Sequence, residues 1–183
     1  MPPADPEAVD LSALRVAFYT DDGSTPTTPD TAAAVRNAAD ALAEAGAAVT
    51  EARPDAIGPE ALDVTRRYWA WEELTGGESV RLLADWDGFR TRMLAFMDSF
   101  DLIVCPTSPG PADPHGKGTE TMFHYTLPFS LTGQPCVVVP CGRSPEGLPI
   151  AVQIVAGAWR EDAAMAAARS IETTLGGWRR PPI

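Results

Sequence analysis

Residues 136–155 read CVVVPCGRSPEGLPIAVQIV, and this stretch decides the fold. Two apolar runs rich in β-branched residues, 136–140 and 150–155, lie on either side of a short connection. Such runs favour strands, and Pro145 and Gly147 favour a chain reversal between them. A connection this short predicts an antiparallel pair, and the apolar composition predicts strands buried on both faces of a sheet.

The sequence upstream alternates between strand and helix patterns. Residues 14–19 and 47–52 predict two strands, separated by an alanine-rich helix. Thr28 is a favoured N-cap for that helix, Pro29 suits its first turn, and Gly46 suits its end. A strand, a helix and a strand in so short a span predict a right-handed crossover between parallel strands.

Helical patterns fill most of the remaining chain. The further predicted elements are a helix at 60–75, a break at Gly76 and Gly77, a helix at 78–99, a strand at 101–105 and a helix at 161–175. The helix at 78–99 carries an apolar stripe, which we expect to pack on the sheet rather than to form an aromatic ligand site. The whole pattern predicts an α/β fold in which helices flank a mixed sheet. We expect one domain at 13–176, a tail or linker remnant at 1–12, and a tail at 177–183.

Composition and charge exclude several classes of function. The net charge of −11 argues against nucleic acid and against an anionic membrane as partners. No apolar run approaches the ~20 residues of a membrane-spanning helix, and the first residues lack the pattern of a signal peptide. Three cysteines form no disulfide framework, and no metal-ligand motif is present, so we expect no cofactor and no metal. A reduced, cytoplasmic protein is the expectation.

A series of short motifs runs through the second half of the chain. They are DLIVCPTSPGP at 101–111, FSLTGQP at 129–135, VPCG at 139–142, GLP at 147–149, Gln153, and RED at 160–162. The series resembles the C-terminal part of the amidase signature hydrolases, and the segment 14–52 is similar to the one that follows that family's catalytic core. The resemblance extends from about Leu14 to Leu175, and it implies the C-terminal part of the amidase signature fold.

The catalytic residues of that family have no counterpart here. Amidase signature enzymes use two serines and a lysine, with the serines in a Gly/Ser-rich loop. This chain has no Ser-Ser dipeptide, and its only lysine, Lys117, lies between two glycines. The resemblance therefore implies the C-terminal portion of an amidase, which supplies sheet strands and walls of the substrate pocket but has no activity alone. The implied partners are the missing N-terminal catalytic portion and a small amide substrate, and a homo-oligomer stays open.

The resemblance also implies which residues border the substrate. These candidate pocket residues are Thr107, Ser108, Tyr125, Phe129, Leu131, Thr132 and Gly133. The residues alone leave a simpler interpretation open, in which both segments are turns at strand ends. Gly133 would permit a close backbone approach to the reacting centre. Ser130 stands where the family commonly has asparagine. We expect Gln153, a polar residue in an apolar strand, to brace a neighbouring loop, because an unpaired buried amide costs about 1–3 kcal/mol.

Two other functions remain as alternatives. A stand-alone small-molecule-binding or structural domain could keep the scaffold without the catalysis. A thiol hydrolase would use Cys105 as its nucleophile, with His115 or His124 as the base. The position of Cys105 at the end of a predicted buried strand argues against this chemistry, since a buried cysteine usually behaves as a small apolar residue.

Overall fold

A computed structural model describes residues 4–55 and 57–180 of the chain. Its strands are β1 (Arg15–Phe18), β2 (Ala48–Glu51), β3 (Leu102–Pro106), β4 (Cys136–Arg143) and β5 (Pro149–Ala156). Its α-helices are α1 (Pro29–Glu44), α2 (Ile57–Trp69), α3 (Gly76–Phe96), α4 (Leu127–Thr132) and α5 (Glu161–Leu175). The strands form one sheet in the order β2-β1-β3-β5-β4. β1 is parallel to β2 and β3, whereas β5 is antiparallel to β3 and β4, so the predicted mixed α/β fold is confirmed.

The crossover β1-α1-β2 follows from local signals at the ends of α1. The Thr28 hydroxyl accepts a hydrogen bond from the backbone N–H of Thr31, and Pro29 occupies the first turn. Gly46 follows the helix with a positive φ of 99°, a conformation that suits glycine. The chain then returns as β2, parallel to β1, as the sequence predicts.

One face of the sheet is covered by α1 and α5; we call it the closed face. Alanines dominate the buried side of both helices, and their small side chains let the helices approach the strands closely. Leu42 and Ile171 complete this core from the helices, while Ile154 and Val152 enter it from the sheet, all without measurable exposure.

The other face is covered by α2, α3 and α4, and only over part of its width; we call it the open face. Ile57, Phe89, Met93 and Phe129 are buried there against the inner strands. Phe96 and Phe100 pack at the margin of this second core, so the predicted stripe does pack on the sheet.

The strands β4 and β5 pair antiparallel through a tight connection, as predicted, but their burial differs. β5 lies between β3 and β4 and is almost wholly buried. β4 is an edge strand, and Val138 is 53% exposed on the open face. The expectation that both strands are buried on both faces is therefore wrong for β4, because no helix of the open face extends over it in the described part of the chain.

The helices of the open face begin earlier than the sequence suggests. α2 already includes Gly58 and Pro59, since proline is tolerated in a first turn, where its missing N–H has no intrahelical partner. The chain breaks at Ala70 to Thr75, before the two glycines, and α3 starts with Gly76 and Gly77 in its first turn. Thr75 and Glu78 form a capping box that fixes this start, and the sequence prediction missed it.

The terminal segments add short elements. Residues 5–13 contain two 3-10 helices, capped by Asp5 and Asp10, and Glu7 pairs with Arg169 of α5 at 2.7 Å. The predicted division into 1–12, 13–176 and 177–183 stays a prediction; residues 1–3 and 181–183 of its two tails lie outside the described residues. Among the helices described, none combines the length and the apolar character that a membrane span requires.

Candidate functional site

The loops that follow β1 and β3 line an open cavity at the carboxyl ends of these parallel strands; we call it the strand-end cavity. Its volume is about 460 Å³, and Ser108 lines it together with Thr28 and the turn between β4 and β5. The backbone N–H of Thr28 donates to the carbonyl of Pro109 at 2.8 Å and so joins the two loops. The carboxyl ends of parallel strands are where ligands bind in α/β sheets.

Thr107 stands beside the strand-end cavity but points to the sheet. Its hydroxyl donates to the carbonyl of Ala151 on β5 at 3.2 Å, which fixes the end of β3. This contact matches the simpler interpretation of Thr107 as a strand-end residue, whereas Ser108 lines the cavity.

A buried polar cluster lies at the same strand ends. Asp22 accepts hydrogen bonds from the backbone N–H groups of Ser24 at 2.8 Å and of Thr25 at 2.9 Å. The Thr25 hydroxyl lies 2.5 Å from Nδ1 of His124, and the Tyr125 hydroxyl donates to the Thr25 carbonyl at 2.5 Å. These contacts join the loop after β1 to the segment before α4, so the walls of the strand-end cavity are braced from beneath.

Gln153 ties this cluster to the centre of the sheet. Its amide nitrogen donates to the carbonyl of Pro106 at 2.9 Å and to that of Tyr125 at 2.6 Å. The predicted bracing role of Gln153 is confirmed. Nε2 of His124 is buried and has no hydrogen-bond partner within the described residues. Burial, and then the charge of Asp22, raise the pKa of the Tyr125 hydroxyl well above its usual range, so this group stays neutral.

Two of the candidate pocket residues lie in the core. Tyr125 has no measurable exposure, and Phe129 is 3% exposed. In the structure as it stands, neither side chain reaches a surface, so both support neighbouring residues from beneath.

The remaining candidates lie towards the far end of α4. Thr132 and Gly133 line a second cavity of about 270 Å³ together with Trp159. Gly133 ends α4 with a φ of 70°, and the space around its missing Cβ is empty to 4 Å among the described residues. The Leu131 carbonyl accepts a hydrogen bond from the indole N–H of Trp86 at 2.8 Å.

The structure does not bring all seven candidates together. Pro106, the last residue of β3, pairs with Val152 in the middle of β5, whereas Cys136 pairs with Val155 near the carboxyl end of β5, and Gly133 precedes Cys136. The six residues of α4, which extend about 9 Å, separate the two groups of candidates. Thr107 and Ser108 thus lie at one end of the sheet, and Thr132 and Gly133 lie at the other.

The thiol chemistry considered for Cys105 finds no support. Cys105 is fully buried, and burial raises the pKa of its thiol to about 12. The thiolate is the nucleophilic form, and it would be scarce at neutral pH. His124 instead contacts Thr25, and His115 lies in an exposed loop with Lys117.

The outer edge of β4 is a further feature; the interpretation as part of an amidase predicts an exposed apolar sheet edge, but the sequence did not identify β4 as that edge. Val137, Val138, Met165 and Arg169 border a groove of about 570 Å³ between this edge and α5. A signal was available, because Pro140 interrupts the strand run and proline in a sheet belongs on edges and at bulges. The structure has an irregularity in register at Pro140 to Gly142.

Comparison with known proteins identifies one matching family and several similar hydrolases. The family described as Amidase matches residues 80–165. A curated relative, the 6-aminohexanoate-cyclic-dimer hydrolase of Paenarthrobacter ureafaciens, is 28% identical over 93% of this chain and 46% of its own length. A fatty-acid amide hydrolase of Danio rerio is 39% identical over 44% of this chain and 15% of its own. The chain thus spans about half the length, or less, of these curated relatives.

A solved structure agrees in fold. The structure of a 6-aminohexanoate cyclic dimer hydrolase superposes with a TM-score of 0.78 at 26% identity, over 99% of this chain and 50% of that one. The resemblance seen in the short motifs is therefore confirmed over nearly the whole chain, and so is the partial coverage that it implies.

Proposed function

This chain is a partial amidase-like protein with part of the amidase signature fold, and we propose that it completes the sheet and the substrate pocket of an amidase. A second polypeptide portion would carry the catalytic serines and the lysine. In the complete enzyme, the serine attacks the carbonyl of a small carboxamide, the C–N bond breaks to release ammonia or an amine, and water then hydrolyses the acyl-serine intermediate. This chain would contribute no reacting group, because the described residues do not form such a group of two serines and a lysine.

The exposed edge of β4 is the observation that carries the proposal. Edge strands are usually short, charged or covered, since their unpaired backbone groups invite another strand. β2, at the opposite edge, has four residues and carries Thr50 and Glu51. β4 has eight residues, and its segment Cys136 to Val139 is apolar, with Val138 53% exposed.

The geometry of β4 limits where a partner strand would pair. Pro140 has no N–H to donate, and the irregularity in register follows it directly. Pairing would therefore use residues 136–139, and the partner would also cover the bare strip of the open face beside α4. Such pairing extends the sheet by one strand with regular backbone hydrogen bonds.

With a partner bound along β4, each candidate pocket residue would have a defined role. A partner on β4 and the open face would lie beside Gly133, whose missing side chain leaves room for a substrate or a catalytic loop. Leu131 and Thr132 would form the adjoining wall, and Tyr125 and Phe129 would support it from the core. Thr107 and Ser108 would belong to a wall at the opposite end of α4, which requires a substrate or a loop that extends along the helix.

Reconstitution tests the proposal. The chain and an N-terminal amidase portion with the Ser-Ser-Lys residues, taken from the same source, are purified separately and mixed, and ammonia release from aliphatic and aryl amides is measured. We expect activity in the mixture and none with this chain alone. Activity of the chain alone, or silence of a mixture in which both portions are folded, would contradict the proposal.

Edge variants localise the contact. Val138→Lys places a charge on the apolar edge and should reduce the activity of the mixture at least tenfold by weakening association. Thr50→Lys makes a similar change on the exposed strand at the opposite edge and should leave that activity unchanged. Equal effects of the two substitutions would show that β4 is not the contact.

A stand-alone binding domain is the second candidate, and the strand-end cavity favours it, because this chain alone supplies the residues that line that cavity. It predicts a monodisperse chain that unfolds cooperatively and that stays silent in every mixture. A second copy of this chain on β4 would instead appear as a dimer in light scattering, and Val138→Lys would dissociate it. A cytoplasmic location stays part of the proposal; the three cysteines are free in the structure, as a reducing compartment would keep them.

A further inference from the structure

The turn between α2 and α3 holds a groove that the proposed function does not use. It is lined by Tyr68, Trp69, Trp71, Trp86, Glu72 and Glu73, and its volume is about 640 Å³. We call it the aromatic groove. Its lining combines two kinds of side chain: four aromatic rings, and two carboxylates that are its only charged groups among the described residues.

The floor of the aromatic groove is fixed in place. The indole N–H of Trp86 donates to the Leu131 carbonyl at 2.8 Å, so the ring of Trp86 is anchored to α4. Tyr68 meets Trp86 edge to face, with ring centroids 5.4 Å apart and planes at 72°. A preformed floor lowers the entropy cost of binding a ligand, since these rings are already ordered.

Three of the four rings are open to solvent, and Tyr68 is 48% exposed even though its edge contacts Trp86. Trp69 is 58% exposed and Trp71 is 40% exposed, although each lines the groove. Tryptophan side chains are large and mostly apolar, so a cluster of them at a surface marks a place where something binds.

The charge of the groove selects the ligand. Two arginines near the end of α2 are engaged elsewhere: Arg66 pairs with Glu120 at 2.9 Å, and Arg67 pairs with Asp63 and Asp85. Glu72 and Glu73 make no ion pair with any residue that the structure describes. An aromatic surface with uncompensated carboxylates attracts cations and repels anions, and the net charge of −11 adds to this field.

We propose that the aromatic groove binds an organic cation of the alkylammonium class. The faces of tryptophan and tyrosine rings carry negative potential and attract an ammonium group, and this attraction is strongest for tryptophan. The carboxylates of Glu72 and Glu73 add Coulomb attraction, and the volume of about 640 Å³ has room for a small ammonium ion with its alkyl substituents. The site stands whether or not the chain acts in an amidase, because all of its residues belong to this chain.

Choline and 3,3-dimethylbutan-1-ol test the proposal, because they have nearly the same shape and differ in charge. Each is titrated into the full chain, and binding is followed by calorimetry and by the indole N–H signals in NMR spectra. We expect saturable binding of choline, about tenfold or more tighter than that of the neutral alcohol, since a cation–π contact and a carboxylate both favour the charged form. Equal affinities would overturn the proposal, and so would the absence of saturation.

Variants connect the binding to this groove. Trp71→Ala and the double variant Glu72→Gln/Glu73→Gln should each weaken choline binding at least fivefold. The matched controls are Trp178→Ala, which removes a tryptophan that is 67% exposed outside the groove, and Glu44→Gln/Glu51→Gln on the far side of the sheet. The controls should bind choline like the parent chain, and circular dichroism checks that every variant is folded. A loss that is equal in the controls would overturn the assignment, as would a dimer in which a second copy buries Trp71.

Discussion

The two faces of the sheet are built differently. The closed face is covered by α1 and α5, whose buried alanines pack tightly on four strands. The open face is covered by three helices that leave β4 bare, and it holds the buried polar cluster with Gln153. The closed face is a core that this chain's own helices complete, whereas the open face is covered by this chain only in part.

Truncating one side chain on each face tests this difference in packing most directly. Ile154→Ala removes a fully buried side chain from the closed face and should cost about 2–5 kcal/mol of unfolding free energy. Val138→Ala, on the neighbouring strand, removes a side chain that is 53% exposed and should cost less than about 1 kcal/mol. Urea unfolding followed by circular dichroism measures both. Similar losses would show that β4 is as well packed as β5.

The polar cluster makes the open face sensitive in another way. Gln153→Leu introduces an apolar side chain of similar size, but it leaves the carbonyls of Pro106 and Tyr125 without the amide donor that they have in the parent chain. We expect a loss of about 1–3 kcal/mol, the usual cost of unpaired buried groups, in the same unfolding assay.

A second buried glutamine supplies the control. Gln134→Leu removes an amide whose nitrogen reaches the Ala156 carbonyl only at 3.5 Å and whose oxygen accepts from the Thr132 hydroxyl at 2.9 Å. Because that hydroxyl also reaches the Phe129 carbonyl at 3.3 Å, it keeps a partner, and this variant should lose less stability than Gln153→Leu. The opposite order would mean that the bonds of Gln153 do not brace the open face.

The sequence predicted the closed face better than the open one, and the reason is physical. Thr28, Gly46 and the alanine periodicity are local signals, and they specify α1 and its crossover without knowledge of the rest of the sheet. The exposure of Val138 depends on whether another strand pairs with β4, and the local sequence does not determine such a long-range contact. Pro140 was the one local hint that β4 lies at an edge.

The candidate site was harder to predict for the same reason. Family resemblance selected Tyr125 and Gly133 along one segment. Only the fold shows that Tyr125, before α4, lies in the core, and that Gly133, after α4, lies towards the far end of the sheet. The aromatic groove was not expected at all, because the helical pattern at 60–75 gave no indication that α2 ends at Trp69 and that a short 3-10 turn follows at Trp71–Glu73.

Removing one helix cap on each face tests the same difference with a smaller expected effect. Thr28→Ala removes the cap of α1 on the closed face, and Thr75→Ala removes the cap of α3 on the open face. Loss of such a cap typically costs about 1 kcal/mol. We expect Thr28→Ala to lower the free energy of global unfolding, whereas Thr75→Ala should mainly speed hydrogen exchange in the first turns of α3, which can open locally.

A threonine outside the caps gives the baseline for these two variants. The Thr173 hydroxyl donates only to the carbonyl of Arg169 within α5, so Thr173→Ala loses no cap and should change neither measurement much. A purely global loss in Thr75→Ala would mean that α3 unfolds together with the closed face.

The smallest effect is a pH dependence of the cap of α3, which the cap of α1 should not share. Hydrogen bonds from the hydroxyl and the backbone N–H of Thr75 lower the pKa of Glu78 below its usual value of 4.5. A carboxylate with a lowered pKa in the folded state stabilises the fold above that usual value, and the contribution is lost as the pH falls through the lowered pKa. Exchange protection of the first turn of α3 should therefore hold from pH 7 to about 5 and decline in more acid solution.

The first turn of α1 is the internal reference for this decline. Its cap bond runs from the Thr31 N–H to Thr28, and neither side chain titrates, so its protection, corrected for intrinsic exchange, should not follow the same curve. Glu78→Gln should flatten the acid decline in α3, because the amide can still accept from Thr75 but does not titrate. An unchanged decline in Glu78→Gln would place its origin elsewhere, and the difference between the two faces would then owe nothing to their caps.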